Sequence, residues 1–212
     1  MLAVEIDNGV VEVLREVVAN CDNVEVLHAD AGELDWNSLA KQSQSWHVVA
    51  NLPYNVATPL VLRSIPELPT VDRWCVMVQR EIADRMFALP STPAYGAVSV
   101  LMRLACERTD LHPVGREVFD PAPRVDSALL AFRRRSDWPE RAPDWERIVH
   151  LVHAGFAHRR KTLANGIAMA GIATRPETEQ VLTELGHDTR IRGEAIEPEG
   201  WLPLLAALTA VT

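Results

Sequence analysis

No stretch of the sequence approaches the ~20 uninterrupted apolar residues that a membrane-crossing helix needs. The N-terminal Met1-Leu-Ala-Val-Glu-Ile-Asp7 has neither a basic start nor the apolar core of a secretory signal. A soluble cytoplasmic protein is therefore expected. Cysteine is scarce: Cys21, Cys75 and Cys106 lie far apart with no CxxC pairing, which argues against a disulfide framework or a structural zinc site. They read instead as small buried hydrophobes. His150, His153 and His158 share one helical segment, but no carboxylate or thiol is spaced to complete a ligand set, so no metal is expected. Internal repeats and low-complexity tracts are missing too. What remains, 48% hydrophobic and 24% charged residues over 212 positions, is ordinary globular composition for one large or two small domains.

The formal net charge of −8 argues at first against a nucleic-acid partner. Its distribution says otherwise. Residues 1–50 hold nine acids and two bases, and the rest of the chain is close to neutral. Within that near-neutral part, Arg133-Arg-Arg135 and Arg159-Arg-Lys161 are compact basic clusters. Screening limits each charge's reach to ~8–10 Å, so local basic patches can bind a polyanion on an acidic protein. Taken alone, each cluster is more often a solvated face.

Along the first half, short β-prone runs alternate with helical patterns. Leu2–Ile6, Val24–Leu27, His47–Ala50 and Trp74–Val78 read as strands, and Val10, Val11, Leu14, Val17 and Val18 recur at helical spacing. Ser127–Phe132 reads as a late strand closing the sheet. Such alternation implies βαβ units and a mostly parallel sheet covered on both faces. The polar, Pro-containing segment 133–143 reads as a linker. Beyond it the pattern is helical, with Asp144 and Thr174 as N-caps, Gly186 as a stop, and a last apolar helix after Pro198.

In a doubly wound sheet, ligands bind beyond the carboxyl ends of the strands. Glu5 and Asp7 follow the first strand, Asp30 the second, and Asn51-Leu-Pro-Tyr54 the third. A carboxylate there can accept from vicinal ribose hydroxyls, and Asp30 is placed to accept from an adenine's exocyclic amine. That amine is a poor nucleophile because its lone pair is delocalised into the ring. An Asn oxygen and a backbone carbonyl accepting its two hydrogens would favour a pyramidal nitrogen with a localised lone pair. Pro53 adds no competing N–H, and Tyr54 offers a stacking face worth ~1–3 kcal/mol per base. A plain Asn-Pro turn with a packed Tyr is the bland alternative. For Phe119, rigidly presented in a loop with Pro121 and Pro123, it is a hydrophobic plug under that loop.

Asn51-Leu-Pro-Tyr-Asn-Val-Ala-Thr-Pro59 resembles the catalytic motif of the ribosomal RNA adenine N6,N6-dimethyltransferases, the KsgA-type family. The resemblance continues in order: Ala3–Asp7, His28–Ala31, Gln79–Arg85, Ala94–Val100, Phe119–Ser127 and Phe156–Leu163. It implies a Rossmann-like class I methyltransferase domain, α/β with its first strand missing, over residues 1–135, and a small all-helical domain contacting RNA over 143–212. It further implies S-adenosyl-L-methionine as methyl donor, with Glu5 on its ribose, Asp30 on its adenine and Asn51 beside both donor and target. Asn51, Leu52 and Pro53 would hold the target amine, and Tyr54 and Phe119 would sandwich the base. Arg159, Arg160 and Lys161 would meet RNA phosphates.

One departure stands out. The family's first strand and glycine-rich turn should precede residue 1, and no GxGxG-like pattern appears elsewhere. The simplest explanation is a gene model or fragment starting at an internal methionine; an authentic short form without catalysis is the alternative. The strand belongs between those at 2–6 and 46–51, so two edges should be left unpaired unless the sheet closes up. The expected activity is dimethylation of adenosines in small-subunit ribosomal RNA by a monomer acting on the immature small subunit. A large-subunit adenine methylase of the same fold and a non-catalytic ribosome-assembly factor are the rivals.

Overall fold

A computed structural model describes residues 1–40, 45–138, 144–158 and 160–211. The chain opens on a βαβ unit, β1 (Leu2–Glu5), α1 (Asn8–Val17) and β2 (Glu25–His28), whose strands pair in parallel with Val4 opposite Leu27. Asp7 starts α1 by accepting the Val10 amide at 3.0 Å, as a short acid does at an N-cap. Then come α2 (Trp36–Ala40), β3 (Trp46–Asn51), α3 (Ala57–Glu67), β4 (Val71–Gln79), α4 (Arg80–Met86) and α5 (Ala97–Ala105). Strands β5 (Cys106–Val114) and β6 (Ser127–Arg134) follow, then helices α6 (Trp145–Phe156), α7 (Leu163–Met169), α8 (Arg175–Glu184) and α9 (Trp201–Val211).

The strands form two sheets, β1-β2 and β3-β4-β6-β5. Pairing is parallel between β3 and β4, and antiparallel between β6 and both β4 and β5. No hydrogen bond joins β1 to β3, so the two sheets are not closed into one. Each keeps one edge without a partner strand among the described residues. Side chains nearby are correspondingly bare. Val49 on β3 is 81% exposed, and of the apolar stripe on α1 only Val11 is fully buried, while Val10 and Val17 face solvent.

Sequence patterning misses β5. Its Cys-Glu-Arg-Thr-Asp-Leu-His-Pro-Val has no apolar run, because an edge strand tolerates charges and even proline. The cysteines also correct their expectation: Cys106 is buried, but Cys75 is half-buried and Cys21 exposed. Burial pushes the Cys106 thiol up to about 12.

The first core lies between β4, β6 and helices α3 and α4. Trp74 stacks on Phe132 with ring centres 5.2 Å apart, and its indole N–H donates to the buried Ser64 hydroxyl at 3.0 Å. Above Trp74 lies the Arg134 guanidinium, 5.1 Å from the ring centre, donating to the carbonyls of Val71, Ile65 and Leu68 at 2.8–2.9 Å. Partial burial lowers its pKa, and the cation–π contact and three carbonyl dipoles stand in for lost water. The basic run 133–135 is therefore not a phosphate-facing patch. Arg133 pairs with Glu107 at 2.8 Å, and Arg135 lies 3.3 Å from Asp137.

The second core gathers Ile148, Leu151, Leu163, Ile167, Leu182 and Trp201 from the last four helices, together with Leu101 and Leu104 of α5. Asp144 and Thr174 cap α6 and α8 as their residue types suggest, the latter in a reciprocal box with Glu177. Helices α6 and α7 meet backbone to backbone. A Cβ on Gly166 would stand 2.7 Å from the Ala154 carbonyl oxygen.

Replacing Arg134 with Met keeps most of the volume but strands three carbonyls. A loss of about 3 kcal/mol in urea unfolding is expected. A change under ~0.5 kcal/mol would show that the clamp contributes nothing beyond ordinary surface packing.

Candidate active site

Strand β3 delivers the Asn-Leu-Pro-Tyr segment. Its ladder with β4 runs to Asn51 opposite Met77, and one further bond, Leu52 N–H to the Met77 carbonyl at 3.1 Å, carries the pairing into the loop. The Pro53 carbonyl is already used, accepting from Val56 and Ala57 at 3.1 and 3.0 Å to start α3. The Leu52 carbonyl and the exposed Asn51 side chain have no hydrogen-bond partner among the described residues. The loop thus presents two acceptors side by side in sequence on a backbone fixed at both ends. Proline at 53 contributes a rigid φ and no donor.

Tyr54 is held by a contact that sequence reasoning missed. Its hydroxyl lies 2.7 Å from the Ser127 hydroxyl, at the first residue of β6, and Ser127 is completely buried. A hydroxyl opening the otherwise apolar Ser-Ala-Leu-Leu-Ala-Phe was the available signal. Beside it, Asp126 accepts from the Arg80 amide through its carbonyl and from the Arg116 amide through Oδ1, at 3.0 and 3.3 Å. That ties down the loop carrying Phe119, which is half-buried after a single 3-10 turn, Arg116–Val118. Residues 126 and 127 therefore bring the Tyr54 and Phe119 segments to one end of the four-stranded sheet.

The acids stand at the carboxyl ends of the other pair of strands. Glu5 Oε1 accepts from the amides of Ile6 and Asp7, both at 2.8 Å. Asp30 Oδ1 accepts from the Gly32 amide at 2.7 Å. In each carboxylate one oxygen is locked by its own turn, and the other has no protein partner among the described residues. An acceptor held this way needs little reorganisation to meet a ligand's hydroxyl or amine. Asp7, also considered for a ligand, instead caps α1.

A second contact invisible in the sequence joins this region to α3. Arg63 donates to the carbonyls of Gly32 and Leu34, the latter at 2.7 Å, and to Glu67 at 2.7 Å. The Glu67 hydrogen bond raises its pKa. Of the basic run after α6, Arg160 and Lys161 are exposed, just before the Thr162 cap of α7; Arg159 lies outside the described residues.

Tyr54 and Ser127 form a pair testable without ligand. Ser127→Ala and Tyr54→Phe should each cost about 1 kcal/mol in thermal unfolding. The double variant should cost clearly less than the two together, and strict additivity would mean that the hydroxyls do not bond.

Known proteins carry the same plan. The model of the family described as ribosomal RNA adenine dimethylase matches residues 1–198. Ribosomal RNA small subunit methyltransferase A from Rubrobacter xylanophilus is 41% identical over 202 residues, 95% of this chain and 74% of that protein. The protein of that name from Lactococcus lactis is 37% identical, covering 98% of this chain and 72% of its own. Among solved structures, a dimethyladenosine transferase from Plasmodium falciparum shares the fold with a TM-score of 0.84 at 21% identity, over 99% of this chain and 82% of that one. The 23S rRNA methyltransferase ErmE aligns with a TM-score of 0.66 at 25% identity, over 98% and 81%. S-adenosyl-L-methionine is the methyl donor in the dimethylase family. A family match over residues 1–198, with relatives 41% and 37% identical along nearly the whole chain, places this chain in the ribosomal RNA adenine dimethylase family.

Proposed function

We propose that this chain transfers methyl groups from S-adenosyl-L-methionine to N6 of adenosines in small-subunit ribosomal RNA, with Asn51-Leu-Pro-Tyr54 receiving the target base. The observation that carries the reading is the pair of unpartnered acceptors, the Asn51 side-chain oxygen and the Leu52 carbonyl, at the end of a fixed parallel ladder. An exocyclic amine has two hydrogens to give. Donating both would draw the nitrogen towards a pyramidal shape and localise its lone pair for attack. Since Pro53's carbonyl is committed to α3, Leu52's is the backbone acceptor assigned here.

Tyr54 and Phe119 would stack on the two faces of a base taken out of its helix. The Ser127 bond fixes the tyrosine ring before the base arrives, which lowers the ordering cost of stacking. Glu5 would accept from the ribose hydroxyls of the donor and Asp30 from its adenine amine, each through its unlocked oxygen. The donor supplies an electrophilic methyl group bonded to a sulfonium. These residues orient it rather than activate it, and no strong base is required, because the product nitrogen becomes cationic and then sheds its proton.

Arg160 and Lys161, exposed on the α6–α7 connection, would meet RNA phosphates, with Arg159 beside them in sequence. The substrate assignment rests on curated relatives named for the small subunit at 41% and 37% identity, against 25% for the 23S enzyme. The partner we assign is the immature small ribosomal subunit, met by a monomer in the cytoplasm. No helix among the described residues is long and apolar enough to cross a membrane.

Methyl transfer from labelled donor to purified small and large subunits tests this reading. Incorporation into the small subunit is expected. Tyr54→Ala should lower it about ten- to a hundredfold, the loss of one stacking face, while leaving subunit binding in place. Equal methylation by the variant would remove Tyr54 from the site. Subunit binding without any methylation would favour the non-catalytic assembly factor.

A further inference from the structure

We infer that Arg63 is a positioning residue that sets the adenine-recognition turn from the helix following the target-base loop. The inference rests on the donor-site reading of Asp30 above. The turn 28–35 lies at the end of β2, in a two-stranded sheet that has no hydrogen bond to the rest of the strands. A parallel sheet ordinarily fixes the spacing of successive strand ends through its ladder. Between β1 and β3 that ladder is absent, and side chains must hold the spacing instead.

Arg63 is built for that. Its guanidinium donates from Nη1 to the Gly32 carbonyl and from Nη2 to the Leu34 carbonyl at 2.7 Å, while Nε is held by Glu67 one turn along α3 at 2.7 Å. The same group lies 5.5 Å from the centre of the Trp36 ring, and the Trp36 indole N–H donates to the Ala31 carbonyl at 2.7 Å. Carbonyls 31, 32 and 34 are thus bound in sequence around Asp30, whose Oδ1 closes on the Gly32 amide. Gly32 is gripped from both sides: its N–H by Asp30 and its C=O by Arg63. The two peptide units flanking Gly32 thus link Arg63 to the Asp30 carboxylate. Three donors in a planar fork make this arrangement, and a lysine ammonium cannot span it.

Helix α3 starts on the Pro53 carbonyl, so Arg63 is joined through two turns of helix to the loop that presents Asn51 and Leu52. The adenine end of the donor site and the target-base loop therefore share one rigid element.

The test compares wild type, Arg63→Met, Arg63→Lys and Asp30→Asn. Two quantities are read: local hydrogen exchange, and the affinity ratio for S-adenosylhomocysteine over S-inosylhomocysteine, which replaces the 6-amino donor by an oxygen. Arg63→Met should speed exchange in residues 29–36 while β3 and β4 keep their protection. It should also reduce the adenosyl preference about tenfold, the worth of one hydrogen bond to a charged group. Arg63→Lys should recover the unfolding temperature but not the preference. A purely structural arginine would lower the unfolding temperature and leave the ratio as in wild type, which overturns the proposal. So does unchanged exchange in 29–36, or a wild type that binds neither nucleoside. If Asp30→Asn leaves the ratio intact while Arg63→Met changes local exchange, the reading of Asp30 fails and the clamp itself stands.

Discussion

Strand β4 is the constraint on which the candidate site depends. It alone is hydrogen-bonded to β3 on one side and β6 on the other, so it transmits position from the late part of the chain to the early part. Met77 receives the Leu52 amide, and Gln79 stands opposite Ser127, whose hydroxyl holds Tyr54. Its inward side chains, Trp74, Val76 and Val78, are almost completely buried. Truncating residues of that kind costs several kcal/mol, typically about 3–5 for a tryptophan. At the opposite end of the strand, Arg134 binds the Val71 carbonyl and the last carbonyls of α3. The loop between β3 and α3 is thus fixed at its start by a ladder and beyond its end by a half-buried cation.

The β1-β2 layer is held differently. It carries both acids but shares no ladder with β3, and Val10, Val17 and Val49 are left exposed around the seam. Its described links to α3 run through polar side-chain contacts, with Arg63 prominent among them. Polar contacts of partly exposed groups are individually modest, so this layer is expected to open before the four-stranded sheet does. That ordering fits the proposal that this layer binds the methyl donor, a small ligand that must enter and leave.

Much of this was legible in the sequence because it obeys local rules. Alternating apolar runs mark β1, β2, β3, β4 and β6 to within a few residues, Asp144 and Thr174 mark helix starts by their side-chain oxygens, and Gly186 marks a helix end at φ 80°. The Asn-Leu-Pro-Tyr segment stands out because it joins an amide, a donor-free proline and an aromatic directly beyond a strand end. What stayed hidden depends on partners far away in sequence. Ser127 matters because residue 54 lies against it, and Arg63 because residues 32 and 34 do. Arg134 sits in a segment with the pattern of a charged linker, since nothing local says that a cation will lie half-buried over a tryptophan. Strand β5 was missed because an edge needs no apolar pattern.

The central claim is that Asn51 and Leu52 hold an adenosine amine for methylation. It is tested most directly by nucleoside mass spectrometry of small-subunit RNA incubated with this chain and S-adenosyl-L-methionine. The account predicts N6,N6-dimethyladenosine with the wild-type chain and its loss, by about a hundredfold or more in rate, with Asn51→Ala. Undiminished dimethyladenosine from the variant, or none from the wild type, would contradict it.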